Sequence, residues 1–144
     1  MTDVKRLALV KPTINTHYHI DFDWWQQNDR DWRVYLRNFL CQEHQAMFAS
    51  VDITEQVDWV DPDTAEVQRV DGLQHILISH CARQSTFINQ PATLVDSVFR
   101  IFLANGNTPL TPEDLAGLLR RDSQTILRTI SGVRVYKGLR PCLD

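Results

Sequence analysis

Cys41-Gln42-Glu43-His44 sets a thiol and an imidazole three residues apart, and His75 followed by His80-Cys81 offers the same two donor types further along the chain. Thiolate sulfur and imidazole nitrogen are the ligands zinc prefers, and a structural zinc takes four of them at the corners of a tetrahedron. Residues at i and i+3 beside a helix end can chelate one ion from the same side, so Cys41 and His44 make one half-site. His80 and Cys81 make the other, with His75 as the alternative histidine. A filled tetrahedron leaves no corner for a substrate, so this site would be structural and would tie two helix ends together. The competing reading makes Cys41 and Cys81 small buried apolar side chains and the histidines surface or hydrogen-bonded ones. A Cys-His nucleophile is disfavoured, because no orienting acid or oxyanion hole accompanies the pair.

A second group lies in Asn15-Thr16-His17-Tyr18-His19-Ile20-Asp21-Phe22-Asp23-Trp24-Trp25. It resembles the T-H-x-H-x-D-H signature of the metallo-β-lactamase fold, which implies a zinc-dependent hydrolase with His17, His19 and Asp21 as ligands. The departures are substantial: Phe22 stands where the last histidine belongs, little chain precedes the motif, and no later ligand loop follows. We therefore read His17, His19, Asp21 and Asp23 as the polar face of an amphipathic strand whose other face, Tyr18, Ile20, Phe22 and Trp24, enters a core. No enzymatic activity is expected.

The third group is Ser123, Gln124, Thr125 and Arg128, with Arg120 and Arg121 before them and Arg134, Lys137 and Arg140 after. Gln and Arg suit adenine and guanine edges, while the remaining cations suit phosphates. Residues 91–141 run as helix, capped helix, tight turn, short helix and hairpin, and in that order resemble a winged helix-turn-helix domain. The resemblance implies duplex DNA as partner, read through the third helix with the wing on the backbone. Winged helices also serve as protein-binding modules, so an adaptor or subunit of a larger complex is the alternative. A homodimer suits either reading. Trp24, Trp25, Trp32 and Trp59 could anchor such an interface, although core positions suit them better.

These groups need elements to hold them. Leu7 to Trp24 reads as extended chain. Asp31 precedes an apolar helical face through Trp32, Tyr35, Leu36, Phe39 and Leu40 to Cys41. Val57 to Val60 and Glu66 to Val70 flank turn formers and predict a β-hairpin. Asp71-Gly72 opens a helix through Leu73, Ile76, Leu77 and His80. Pro91 suits a first helical turn ahead of Leu94 to Leu103, which stops at Asn105-Gly106-Asn107. Thr111-Pro112-Glu113-Asp114 is a strong helix start, with Leu115, Leu118 and Leu119 pointing one way. Asp122 or Ser123 caps a last helix whose inward residues are Ile126, Leu127 and Ile130, and Gly132 ends it. Val133 to Pro141 alternates like a strand and turns at Lys137-Gly138.

The fold class is thus α+β, with residues 1–90 an acidic domain carrying the metal candidate and residues 91–144 the winged helix. Residues 1–90 hold 8 Lys/Arg against 13 Asp/Glu, and residues 91–144 hold 7 against 5, so the only basic excess falls where nucleic acid would bind. The net charge of −3 excludes a protein coated in positive charge. The chain lacks both an export signal and a long apolar run, so a cytoplasmic protein with no membrane contact is expected. There, Cys41, Cys81 and Cys142 stay reduced.

Overall fold

The computed structural model describes residues 11–48, 56–60, 62–89, 92–132 and 137–142. Their order is β1 (Tyr18–Ile20), α1 (Phe22–Asn28), α2 (Trp32–Arg37), α3 (Gln42–Phe48), β2 (Gln56–Val60), β3 (Val67–Asp71) and α4 (Gly72–Ser79). A 3-10 turn (Cys81–Arg83) then leads to α5 (Leu94–Ala104), α6 (Pro112–Leu119), α7 (Ser123–Ile130) and β4 (Leu139–Pro141). The chain is α+β, and the expected hairpin is β2 with β3, antiparallel with Val60 opposite Val67.

Local cap chemistry explains most helix starts. The Asp71 carboxylate accepts the Gln74 N–H at 3.0 Å and so opens α4. Its second oxygen accepts from Arg33 Nε at 2.7 Å, which ties α2 to the same corner. Thr93 caps α5, so that helix starts after Thr93; Pro91 lies outside the described residues. Thr111 and Asp114 form a reciprocal capping box at α6. Asp122 accepts the Thr125 N–H at 3.0 Å and begins α7.

Of the extended reading of residues 7–24, residues 7–10 lie outside the described residues and the remainder is corrected. Strand β1 covers only Tyr18–Ile20, and α1 begins at Phe22 because the Asp21 carboxylate accepts the Trp24 N–H at 3.0 Å. The switch from strand to helix period places Trp25, and not Trp24, in the core. The Trp25 ring sits edge-on to Trp32, Tyr35 and Phe99 at centroid distances of 5.7, 5.8 and 5.3 Å. Its indole N–H donates to Asp29 Oδ2 at 3.1 Å.

One continuous core runs from Tyr18 and Ile20 through Leu36, Leu73 and Leu77 to Phe99, Phe102, Leu115, Ile126 and Leu139. It spans both sides of residue 90. So does the second sheet, in which β1 pairs antiparallel with β4, Ile20 opposite Leu139, while Tyr18 also bridges Leu110. Asn107, at φ 63°, clamps this strand by donating to the Ile20 carbonyl and accepting its N–H, both at 2.8 Å. The turn at Lys137-Gly138 is present, with both residues at positive φ. Residues 133–136, the other strand of the expected wing, lie outside the described residues. Leu118, expected to face inward, is 62% exposed, whereas Leu115 is fully buried.

Candidate functional site

Cys41 stands immediately before α3 and accepts that helix's first backbone bond, Gln45 N–H to the Cys41 carbonyl at 2.9 Å. His44, one turn on, is nearly buried, and its Nδ1 lies 3.1 Å from Cys41 Sγ. This is the i, i+3 half-site expected from the spacing. The other half comes from the end of α4. His80 leaves the helix with φ −125° and ψ −64°, and Cys81 starts the 3-10 turn. Along a continuous helix consecutive side chains diverge by about 100°. The break at His80 takes its side chain and that of Cys81 off a regular helical course.

Cys81 is fully buried and its thiol donates to Cys41 Sγ at 3.3 Å, with His44 Nδ1 at 3.6 Å. The His44 and His80 rings meet edge-on with centroids 4.6 Å apart. Cys41, His44 and His80 present ligand atoms that all lie within 4.8 Å of one another, which is close enough to hold a metal ion. Among the described residues this is the only such group of three or more. Neither Cys81, expected as the fourth ligand, nor His75, the alternative, is part of it.

The distances can be compared with a metal tetrahedron. Bonds of about 2.3 Å to sulfur and about 2.05 Å to nitrogen imply S···S edges of about 3.8 Å and S···N edges of about 3.6 Å. The cluster's edges of 3.3, 3.1 and 3.6 Å match one and are slightly shorter in two, so a small outward movement would admit an ion. Burial pushes the Cys81 thiol up to about 11, so without metal it is neutral at physiological pH. A metal would displace that proton.

The His17-x-His19-x-Asp21 stretch is arranged differently. Asp21 uses Oδ1 to cap α1 and Oδ2 to accept from Arg140 Nη1 at 3.0 Å, so both of its oxygens are engaged by the protein. His19, Asp21, Asp23 and Asn107 border a shallow, open depression of about 230 Å³. The resemblance to a metallohydrolase motif therefore has a local explanation: Asp21 is a helix cap and an ion-pair partner.

On α7, Ile126 and Ile130 are buried and Leu127 partly so, which turns Gln124 and Arg128 outward, with Ser123 and Thr125 half-exposed beside them. Arg120, in the left-handed conformation at φ 55°, and Arg121 are exposed in the turn between α6 and α7. The rest of the expected basic rim is deployed elsewhere. Arg140 pairs with Asp21 and lies 5.2 Å from the Trp24 ring, and Lys137 Nζ sits 4.7 Å from the Tyr35 ring. Arg134 lies outside the described residues.

Sequence reasoning missed two contributors. The Asp21–Arg140 pair joins residues 119 positions apart, and nothing local announces it. Asn107 did leave a trace in Asn105-Gly106-Asn107, where Gly and Asn are the residues that tolerate positive φ. Among the described residues no helix is long and apolar enough to cross a membrane. No family model, curated protein or solved structure matches the chain, so its function rests on these contacts alone.

Proposed function

We propose that the chain is a non-enzymatic, cytoplasmic regulator that binds duplex DNA through α7, stapled by a structural zinc held by Cys41, His44, His80 and Cys81. In this reading residues 91–144 form the winged helix-turn-helix unit and residues 1–90 the metal-bearing domain. The observation that carries the DNA reading is the outward face of α7. Gln124 and Arg128 project from a helix packed by Ile126 and Ile130, and Arg120 and Arg121 flank its N-terminal end. A helix-turn-helix presents the start of its second helix to the major groove, where Gln suits adenine and Arg suits guanine. The small sheet beside these helices pairs β4 with β1 and bridges Tyr18 to Leu110, so residues 18–20 complete the unit from outside 91–144. Zinc is favoured by the donor set, two thiols and two imidazoles, and by a reducing compartment that keeps thiols available.

The test is a fluorescence-anisotropy titration of the zinc-loaded protein against random-sequence duplex DNA, from low to physiological salt. Binding should weaken steeply with salt; the three exposed arginines Arg120, Arg121 and Arg128 imply a log-log slope of about −3 at about −0.9 per neutralised phosphate. Arg128→Glu should abolish it. A second reading, a protein-binding adaptor, is favoured by the engagement of Arg140 and Lys137 within the chain and by the exposed Leu118 on α6. Folded, zinc-loaded protein that ignores DNA even at low salt would support the adaptor and sink the DNA reading.

A further inference from the structure

None of the three cysteines is in a disulfide, yet two of them are nearly in contact. Cys41 Sγ and Cys81 Sγ lie 3.3 Å apart, and a disulfide needs about 2.05 Å. The remaining distance is a side-chain adjustment, since the two residues sit at the start of α3 and in the 3-10 turn after α4, already held together by the core. Their exposures differ: Cys81 is fully buried and Cys41 partly open to solvent. An oxidant arriving from water therefore meets Cys41 first and finds Cys81 directly behind it.

We propose that Cys41 and Cys81 are an oxidisable dithiol, converted by hydrogen peroxide into an intramolecular disulfide with loss of the bound metal. Cys41 sulfur attacks one peroxide oxygen, the O–O bond breaks, and one water leaves, giving a sulfenic acid. Cys81 sulfur then attacks Cys41 sulfur, the S–O bond breaks, and the second water leaves. The two sulfurs lose two electrons in total, the peroxide gains them, and two protons, from the thiols or from solvent where the metal has displaced them, end in water. With two of four donors consumed, His44 and His80 alone cannot retain zinc, which needs three or four ligands. The new bond joins the same two segments that the metal joined, so one staple replaces another. The part concerning metal release rests on the zinc reading; the thiol pairing rests on the sulfur geometry alone.

The experiment treats the intact zinc-loaded protein with hydrogen peroxide and follows three readouts: zinc release with a colorimetric chelator, intact mass, and cross-linked peptides under non-reducing conditions. The expected result is loss of two hydrogens, a Cys41–Cys81 cross-link, stoichiometric zinc release, and reversal by dithiothreitol with zinc. The same treatment of chelator-stripped protein separates the two ideas. If no zinc binds at the outset but the cross-link still forms, the dithiol stands and the metal reading falls. Protein that binds zinc but keeps its thiols, pairs through Cys142, or ends as Cys41 sulfinic acid without a cross-link overturns the dithiol. In Cys81→Ser, oxidation should stop at a Cys41 sulfenic acid trapped by dimedone; cross-link mapping in the unmutated chain decides the matter even if that variant does not fold.

Discussion

If the proposed zinc is bound, withdrawing it should lower the thermal midpoint by an amount specific to the group of Cys41, His44 and His80. A ligand that binds only the folded state stabilises it by about 4.1 kcal/mol when free at about 1,000 times its Kd. For a domain of this size each kcal/mol moves the midpoint by about 2–4 °C, so excess chelator should lower it by about 8–16 °C. Cys41 makes the two closest of the three contacts, to His44 at 3.1 Å and to Cys81 at 3.3 Å, with Cys81 to His44 at 3.6 Å, and it belongs to the group that can hold an ion. Cys41→Ser should therefore make the midpoint insensitive to chelator. It should do so with little packing loss of its own, because Cys41 is partly exposed. His75→Ala should keep the full shift, since His75 is outside the group. The assay is circular dichroism melting with zinc and with chelator, alongside metal content by mass spectrometry. An unmutated chain that holds no metal and melts identically in both buffers would refute the reasoning, as would equal effects of His75→Ala and Cys41→Ser.

Other outcomes follow from the fold. Gly138 sits at φ +79°, and a Cβ there would lie 3.0 Å from Trp25 Cβ and 3.3 Å from the Asp21 carbonyl oxygen. Gly138→Ala should destabilise by about 2–4 kcal/mol through left-handed strain plus overpacking. Gly106→Ala, at φ +72° with nothing within 4 Å of its Cβ position, should incur only the backbone part, about 1–2 kcal/mol, and urea midpoints at constant m-value would separate the two. Hydrogen bonds from the Thr111 N–H and hydroxyl contact hold the Asp114 carboxyl below the usual carboxylate range. A depressed folded-state pKa adds stability above the unfolded carboxylate value of about 4 and forfeits it as pH falls through the folded value. The stability difference between the unmutated chain and Asp114→Asn should accordingly shrink across that acid range, as measured by denaturant titrations at stepped pH.

The parts of the fold that were legible in advance share a local cause. Asp71, Thr111 and Asp122 announce helix starts because a cap is a contact over three residues. The β2–β3 hairpin is likewise set by a turn and its flanks. The grouping of Cys41, His44 and His80 was legible because donor chemistry is rare enough to notice; the helix break at His80 was not. Residues 17–24 misled because alternation is satisfied equally by three strand residues followed by a capped helix. Leu118 and Arg140 misled for a different reason: periodicity reports an element's own faces, whereas their surroundings are set by distant chain, Asp21 and Trp24 for Arg140.

The pairing of β1 with β4 has a kinetic consequence. Its contacts, such as Asp21 with Arg140, close a loop 119 positions long, and contacts of that separation are slow to form because ordering entropy is lost before they return any stabilisation. During synthesis at about 5–20 residues per second, Tyr18 and Ile20 emerge seconds before the strand that completes their sheet. Until Leu139 has left the ribosome, that edge and the Trp25 side of Gly138 remain unsealed. Closure of the core around β1 thus waits on synthesis of residues 139–141, after the local helices and the hairpin have emerged.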